Sequence, residues 1–252
     1  MTYKLIGVGN NAKTIKGDGS EYMTGILYMT PWQVMVDGNL FNSCSMAVLA
    51  GCIEGCLNTA GRGAMNSVQT ARQRKAEWFY RDRDSFMAQL VVDVTKFQRY
   101  CVKRGIQACV RLNGTTDIRW ELIKVGNHST RWGSPVGEFA NIFEMFPDVV
   151  WYDYTKIANR KTSHIRNYHL TWSFSDASPA YSAMLTKALD NGMNAAVVFR
   201  SQHIIPDTWR GLPVIDGDKD DLRFLDPQGG HVVSLYAKGK AKKDTSGFVQ
   251  DH

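Results

Sequence analysis

The chain has 252 residues, 44% of them hydrophobic and 21% charged, enough to bury a sizeable core and too apolar for disorder beyond the ends. Lysine and arginine outnumber aspartate and glutamate by 30 to 24, and the pI is about 9.0, which excludes an acidic chain and favours a polyanionic partner. No apolar run is long enough to span a membrane and the first residues lack the apolar core of a signal peptide, so a cytoplasmic protein with no membrane partner is expected, its five cysteines reduced.

From Met1 to about Asn42 the chain reads as glycine-punctuated loop with one strand, Ile26 to Met29, bounded by Gly25 and Pro31. Lys13, Thr14, Lys16, Gly17 and Gly19 precede it in a polar loop open to two readings, a solvated turn and a phosphate cradle. The stretch from Phe41 to Phe79 then gathers Cys44, Cys52 and Cys56 at C-x7-C-x3-C spacing, a Gly61-Arg62-Gly63 turn and a basic helix. Met65, Val68, Arg72, Ala76 and Phe79 recur there at helical spacing, with Arg74 and Lys75 between them. A second helix from about Ser85 carries Met87, Leu90, Val91, Val94, Phe97 and Cys101 on one stripe and stops at Gly105.

Ile106 to Asn113 is a strand in which Cys109 is a core residue. The loop after it holds Asp117, Arg119, Trp120, Glu121, His128 and Arg131. A helix opening on Ser134-Pro135 continues through Val136, Phe139, Ala140 and Phe143 to Pro147. Val149 to Tyr154 has the apolar character of a strand covered on both faces, with Asp153 as the exception. Tyr168 to Phe174 is the next strand, and a helix from Ser178-Pro179 through Leu189 follows, ended by Gly192. Ala195 to Phe199, Leu212 to Ile215 and Val232 to Tyr236 complete the strands.

Strands alternating with helices imply right-handed βαβ units and a parallel sheet. Asp117, Asp153, Asp176 and Asp216 all fall at or beyond C-terminal strand ends. The expected fold is therefore one α/β domain built as a complete or partial (β/α) barrel with its mouth on that side, a doubly wound open sheet being the alternative. Within it, residues 1–63 form a loop-rich cysteine-containing segment, 64–237 the barrel-like core and 238–252 a basic tail.

Three thiolates suit zinc, with a fourth ligand from His128, His164, His169, His203 or His231, or an iron–sulfur cluster; three small buried residues are the plainer reading. Arg62, Arg72, Arg74 and Lys75 at the turn-helix, with Lys238, Lys240, Lys242 and Lys243 in the tail, are candidates for nucleic-acid phosphates, against the reading of a solvated basic surface. Asp117, Asp153 and Asp216 are the candidate catalytic carboxylates; a pair can act as nucleophile and as acid or base when their surroundings push their pKa values apart. Asp216 opens an acidic group with Asp218, Asp220, Asp221 and Asp226 that only partly matches a calcium loop.

Taken together, NNAKT, SCSMAVLAGCIEGCLNTAGRG, RLNGTTDIRWE, FPDVVWYDYTK, NYHLTWSFSD, VIDGDKDDLRFLDP and AKGKAKKD resemble a family of phage proteins over most of the chain, and within it the DpdA-like DNA-guanine transglycosylases. That resemblance implies a (β/α) barrel exchanging guanine in DNA for a 7-deazaguanine base of the preQ0 type, with an aspartate as nucleophile and zinc on a Cys/His site. Asp117 in TTDI is similar in placement to the acid/base aspartate and Asp216 in VIDGD to the nucleophile. The sequence departs from the transfer-RNA enzymes in carrying Ile118-Arg119-Trp120 where they have a glycine pair and glutamine, and in placing its cysteines before the strands. Three cysteines ahead of a partial barrel also fit an iron–sulfur enzyme of radical S-adenosylmethionine type, though without CxxxCxxC, and a nucleic-acid-binding protein with a structural metal is the non-enzymatic alternative.

Overall fold

The computed structural model describes residues 4–9, 21–126 and 136–251. The N-terminal half supplies β1 (Ile6–Val8), β2 (Tyr22–Leu27), the hairpin β3 (Gln33–Val36) and β4 (Asn39–Asn42), and the helices α1 (Asn66–Arg81) and α2 (Arg83–Val102). Then come β5 (Gln107–Arg111), α3 (Ile142–Met145), β6 (Val150–Thr155), β7 (Tyr168–Ser173), α4 (Pro179–Ser182), α5 (Met184–Asp190) and β8 (Asn194–Phe199). The C-terminal part adds β9 (Thr208–Trp209), β10 (Leu212–Asp216), β11 (Val232–Tyr236) and β12 (Val249–Gln250).

All strands but the β3–β4 hairpin join one mixed sheet in the order β1-β2-β5-β6-β7-β8-β11-β10-β9. The seven from β2 to β10 run parallel, and antiparallel β1 and β9 stand at the two ends of that order. β12 runs parallel to β8 beyond the point where β7 stops, pairing Val249 with Val198 while β7 pairs Ser173 with Ala196. The hairpin turns through Asp37 and Gly38, both at positive φ (50° and 80°), the backbone an Asp-Gly hairpin turn requires.

The expected barrel is not formed: the sheet stays open. Among the described residues its helices are few. No helix links β6 to β7, and between β10 and β11 only a 3-10 turn, Arg223–Leu225, occurs. That turn lies on the face opposite α2, where Phe224 meets Tyr22 and Tyr152 edge-on and Leu222 packs with Cys109. The helix expected from Ser134 reduces to the four residues of α3, capped by Asn141, whose side chain accepts from the Glu144 amide. Phe139 is instead bridged to Val125 and Gly137 has φ +138°, a backbone no helix passes through. Ser134, Pro135, His128, Arg131 and the Lys13–Gly19 loop lie outside the described residues.

α2 is capped by Asp82, which accepts from the Ser85 amide, and buries Phe86, Met87, Leu90, Val91, Val94, Phe97 and Cys101 against β1 and β5. Val34 and Val36 of the hairpin and Ala76 and Phe79 of α1 join the same core. A second cluster under α4 and α5 centres on Trp172, Phe174, Tyr181 and Trp209. Together these fix the C-terminal ends of β5, β6 and β7, over which the cysteine segment lies.

Candidate site at the strand ends

Two layers meet at this end of the sheet: a buried polar network below and the cysteine loop above. Asn113, two residues past β5, is the hub of the lower layer. Its side-chain oxygen accepts from Thr116 Oγ1 (3.0 Å), the Ile118 amide (2.9 Å) and Trp120 Nε1 (3.1 Å), folding residues 113–120 around one amide. Its own backbone N–H donates to Asp153 Oδ1 (2.8 Å), and Tyr168 Oη donates to Asp153 Oδ2 (3.2 Å). Gly114 permits the turn, because a Cβ there would sit 2.7 Å from the Leu27 carbonyl oxygen.

Asp117 is equally occupied: Thr155 Oγ1 and the Lys156 amide each donate to it at 2.8 Å, and Arg160 stands 3.4 Å away. The fully buried Arg160 guanidinium also donates to both Glu121 oxygens and to Tyr168 Oη. Burial pushes Asp153 up to about 7 against the pull of Arg111 and the Asn113 amide, and burial likewise raises Asp117. A buried arginine shared by two carboxylates and a phenol satisfies charges that cost several kcal/mol when stranded.

The cysteine loop is held over this network. The Asp117 amide donates to Ser43 O (2.8 Å), Ser178 Oγ to Leu49 O (3.1 Å) and Ser246 Oγ to Gly51 O (2.9 Å), tying the loop to the segments beyond β5 and β7 and ahead of β12. Gly51 makes that approach possible: its φ is +59°, and a Cβ would lie 2.5 Å from Ala177 Cβ. Cys44, Cys52 and Cys56 are free and half-buried, whereas Cys101 and Cys109 lie in the core. Burial raises the Cys44 thiol to about 12 and also raises Cys56, which the nearby Lys156 and Arg72 charges pull back. A thiolate at Cys56 would oppose ionisation of Cys44, and one at Cys52 that of Cys56, so the three share one electrostatic neighbourhood. Among the described residues, no three His, Cys, Asp or Glu side chains are arranged to hold a metal ion.

The predicted site residues divide accordingly. Asp117 and Asp153 come together in the buried network; Asp216 does not, standing exposed at the end of β10 with Oδ1 accepting from the Asp218 amide. Arg72 is spent inside, donating to Asn58 Oδ1 (2.6 Å), Lys75 donates to Leu5 O (2.7 Å), and Lys238 pairs with Asp218 (2.7 Å). Arg62, Arg74 and Lys240 are exposed. The described histidines lie apart from the thiols: His231 bonds Gly229 O ahead of β11, His169 leans on Phe224 across the sheet, and His164 and His203 are exposed.

Asn113, Lys156, Arg160 and Ser173 are not among the predicted site residues. Lys156 donates to Ser173 Oγ (2.8 Å), with its ammonium 4.6 Å from the Phe248 ring centroid. Their shared signal was position at or just past a C-terminal strand end. No helix among the described residues is long and apolar enough to cross a membrane. A family model described as Gene product 88 matches residues 4–252. No curated protein and no solved structure matches the chain.

Proposed function

The chain belongs to the Gene product 88 family, a family of phage gene products, and we propose that it is an iron–sulfur enzyme of the radical S-adenosylmethionine type with Cys44, Cys52 and Cys56 as the cluster ligands. The observation that carries this reading is the placement of three free, half-buried thiols on one helix-free loop pinned over the C-terminal ends of parallel strands. That edge is where open α/β sheets bind their ligands.

Burial leaves Cys44 and Cys56 poor nucleophiles, since each resists ionisation. A bound metal reverses this by supplying the positive charge a thiolate needs. A single zinc would draw its thiolates to about 3.8 Å of one another, the edge of a tetrahedron with 2.3 Å bonds. A four-iron cluster would take its thiolates on separate irons, a wider spacing than a single zinc asks for. Cys44, Cys52 and Cys56 would be the three protein ligands, and the cluster would supply one-electron reduction of a bound cosubstrate. Lys156 and Arg72 would offset negative charge at Cys56.

Base exchange on DNA asks for carboxylates open to a sugar. Asp117 and Asp153 have their oxygens engaged by Thr155, Lys156, Asn113 and Tyr168, and Asp216 is four strands from Asp153 in the sheet, so the geometry favours the cluster.

Anaerobic reconstitution with ferrous iron and sulfide tests the proposal. The expected product is brown, holds about four irons per chain, bleaches on reduction and releases 5′-deoxyadenosine from S-adenosylmethionine. Each of Cys44→Ser, Cys52→Ser and Cys56→Ser should lose most of the iron. A colourless, zinc-only protein, or iron retained in all three variants, overturns the assignment; transfer of labelled 7-deazaguanine into DNA by the iron-free protein would restore the base-exchange reading.

A further inference from the structure

Two short turns remote in sequence pack together beside the cysteine loop. The 3-10 turn Gly61–Ala64 carries Arg62, and the 3-10 turn Gly239–Lys243 carries Lys240, Lys242 and Lys243. They meet where a Cβ on Gly239 would lie 3.5 Å from Ala60 Cβ; one step along the loop, Gly55 faces Phe248 and Ala241. All four basic side chains are exposed, and among the described residues none forms an ion pair. Positions i and i+3 of a 3-10 turn eclipse, so Lys240 and Lys243 leave the turn on one side, about 6 Å apart along its axis. Leu57 and Met65, 60% and 55% exposed, flank Arg62 with apolar surface. Glu54 is the sole acidic residue between Cys44 and Ala64.

The contrast with the other cations is informative. Arg72, Lys75 and Lys238 are held by carbonyls or a carboxylate, whereas these four are exposed and have no ion-pair partner among the described residues. Unpaired point charges interleaved with exposed apolar side chains suit a chain that offers phosphates outside and bases or sugars between. We infer that this rim docks a single-stranded nucleic acid and delivers it to the cysteine loop. The docking stands on the rim alone; delivery to a reacting centre rests on the function proposed above.

Binding of a fluorescein-labelled mixed-sequence DNA oligonucleotide, followed by anisotropy on the full chain without added iron, tests the docking separately from the cluster. Lys240→Glu with Lys243→Glu is compared with Lys103→Glu plus Lys187→Glu, the same charge change at exposed positions just ahead of β5 and β8, at the other end of the sheet. The rim pair should weaken binding more than about tenfold at 0.1 M salt and flatten the salt slope by about 1.4, two phosphate contacts at 0.7 each. The charge-matched pair should stay near wild type. Equal losses in both variants would reduce the effect to net charge and overturn the inference, as would polyglutamate displacing the oligonucleotide more effectively than unlabelled DNA, which would mark the rim as a site for an acidic protein.

Discussion

Asp153 shows how a residue flagged as an exception in its strand becomes a structural group with its own pH signature. Its carboxyl is raised to about 7 by burial while in an unfolded chain it titrates near 4, so the folded protein holds the proton more tightly. The stability this provides is complete below about pH 4 and is lost as pH rises through 7. Asp153→Asn keeps an acceptor for the Asn113 amide and removes the titration. The unfolding free energy of wild type from urea titration should therefore fall relative to Asp153→Asn between pH 4 and pH 8, by on the order of 4 kcal/mol in total; a constant difference across that range would show that Asp153 stays ionised. The reason this was only half legible is physical. An aspartate inside an apolar strand announces that something must satisfy it, but the donors Asn113 and Tyr168 come from neighbouring strands whose register the sequence does not state. Lys156 and Arg160 were hidden the same way, because a lysine or arginine after a strand looks like any solvated residue until Ser173, Asp117 and Glu121 are seen around it.

The elements that periodicity marks strongly came through, and those decided by a single backbone angle did not. α2 follows its apolar stripe from cap to glycine, and β5, β6, β7, β8 and β11 sit within a residue or two of their apolar runs. The residues from Val136 to Phe143 carry a helical pattern too, yet Gly137 and the bridge of Phe139 to Val125 keep residues 136–141 out of a helix, so that only Ile142 and Phe143 of the stripe become helical. The β3–β4 hairpin had a readable Asp-Gly signal and alternating Val34 and Val36, which the cysteines nearby overshadowed. Gly51 belongs to this scale because it sets where the cysteine loop lies. Gly51→Ala forces a Cβ against Ala177 at a positive φ, so the loop must lift from the end of β7 at a cost of about 1–3 kcal/mol. Iron retained after reconstitution should drop well below wild type while far-ultraviolet circular dichroism is unchanged; wild-type iron content would show that the thiols do not depend on that contact.

At the scale of the whole molecule, the basic excess read from composition is unevenly spent: part is buried in Arg111, Arg160 and Arg223, and part is presented at one rim. The sequence suggested a parallel sheet through its strand–helix alternation, but closure requires the two end strands to pair with each other, and here antiparallel β1 and β9 end the order unpaired with one another. The tail that composition marked as basic also contributes β12, with Val249 and Gln250 buried beside β8. Truncation after Thr245 should lower the unfolding free energy from urea titration by about 3 kcal/mol, from lost apolar burial and unpaired backbone groups of Val198 and Phe199; a truncated chain as stable as the full one would mean that β12 merely rests on the sheet. β12 fills a position in the interior of the sheet, not a margin. During synthesis on the ribosome, the upper part of β8 must therefore wait, one edge bare, until residues 249–250 have been made and have cleared the exit tunnel. A bare strand edge is a template for any other extended chain. Crowded polysomes translating this message at high level are where mispairing between nascent copies should concentrate, and a translational pause just ahead of residue 249 would lengthen that exposure.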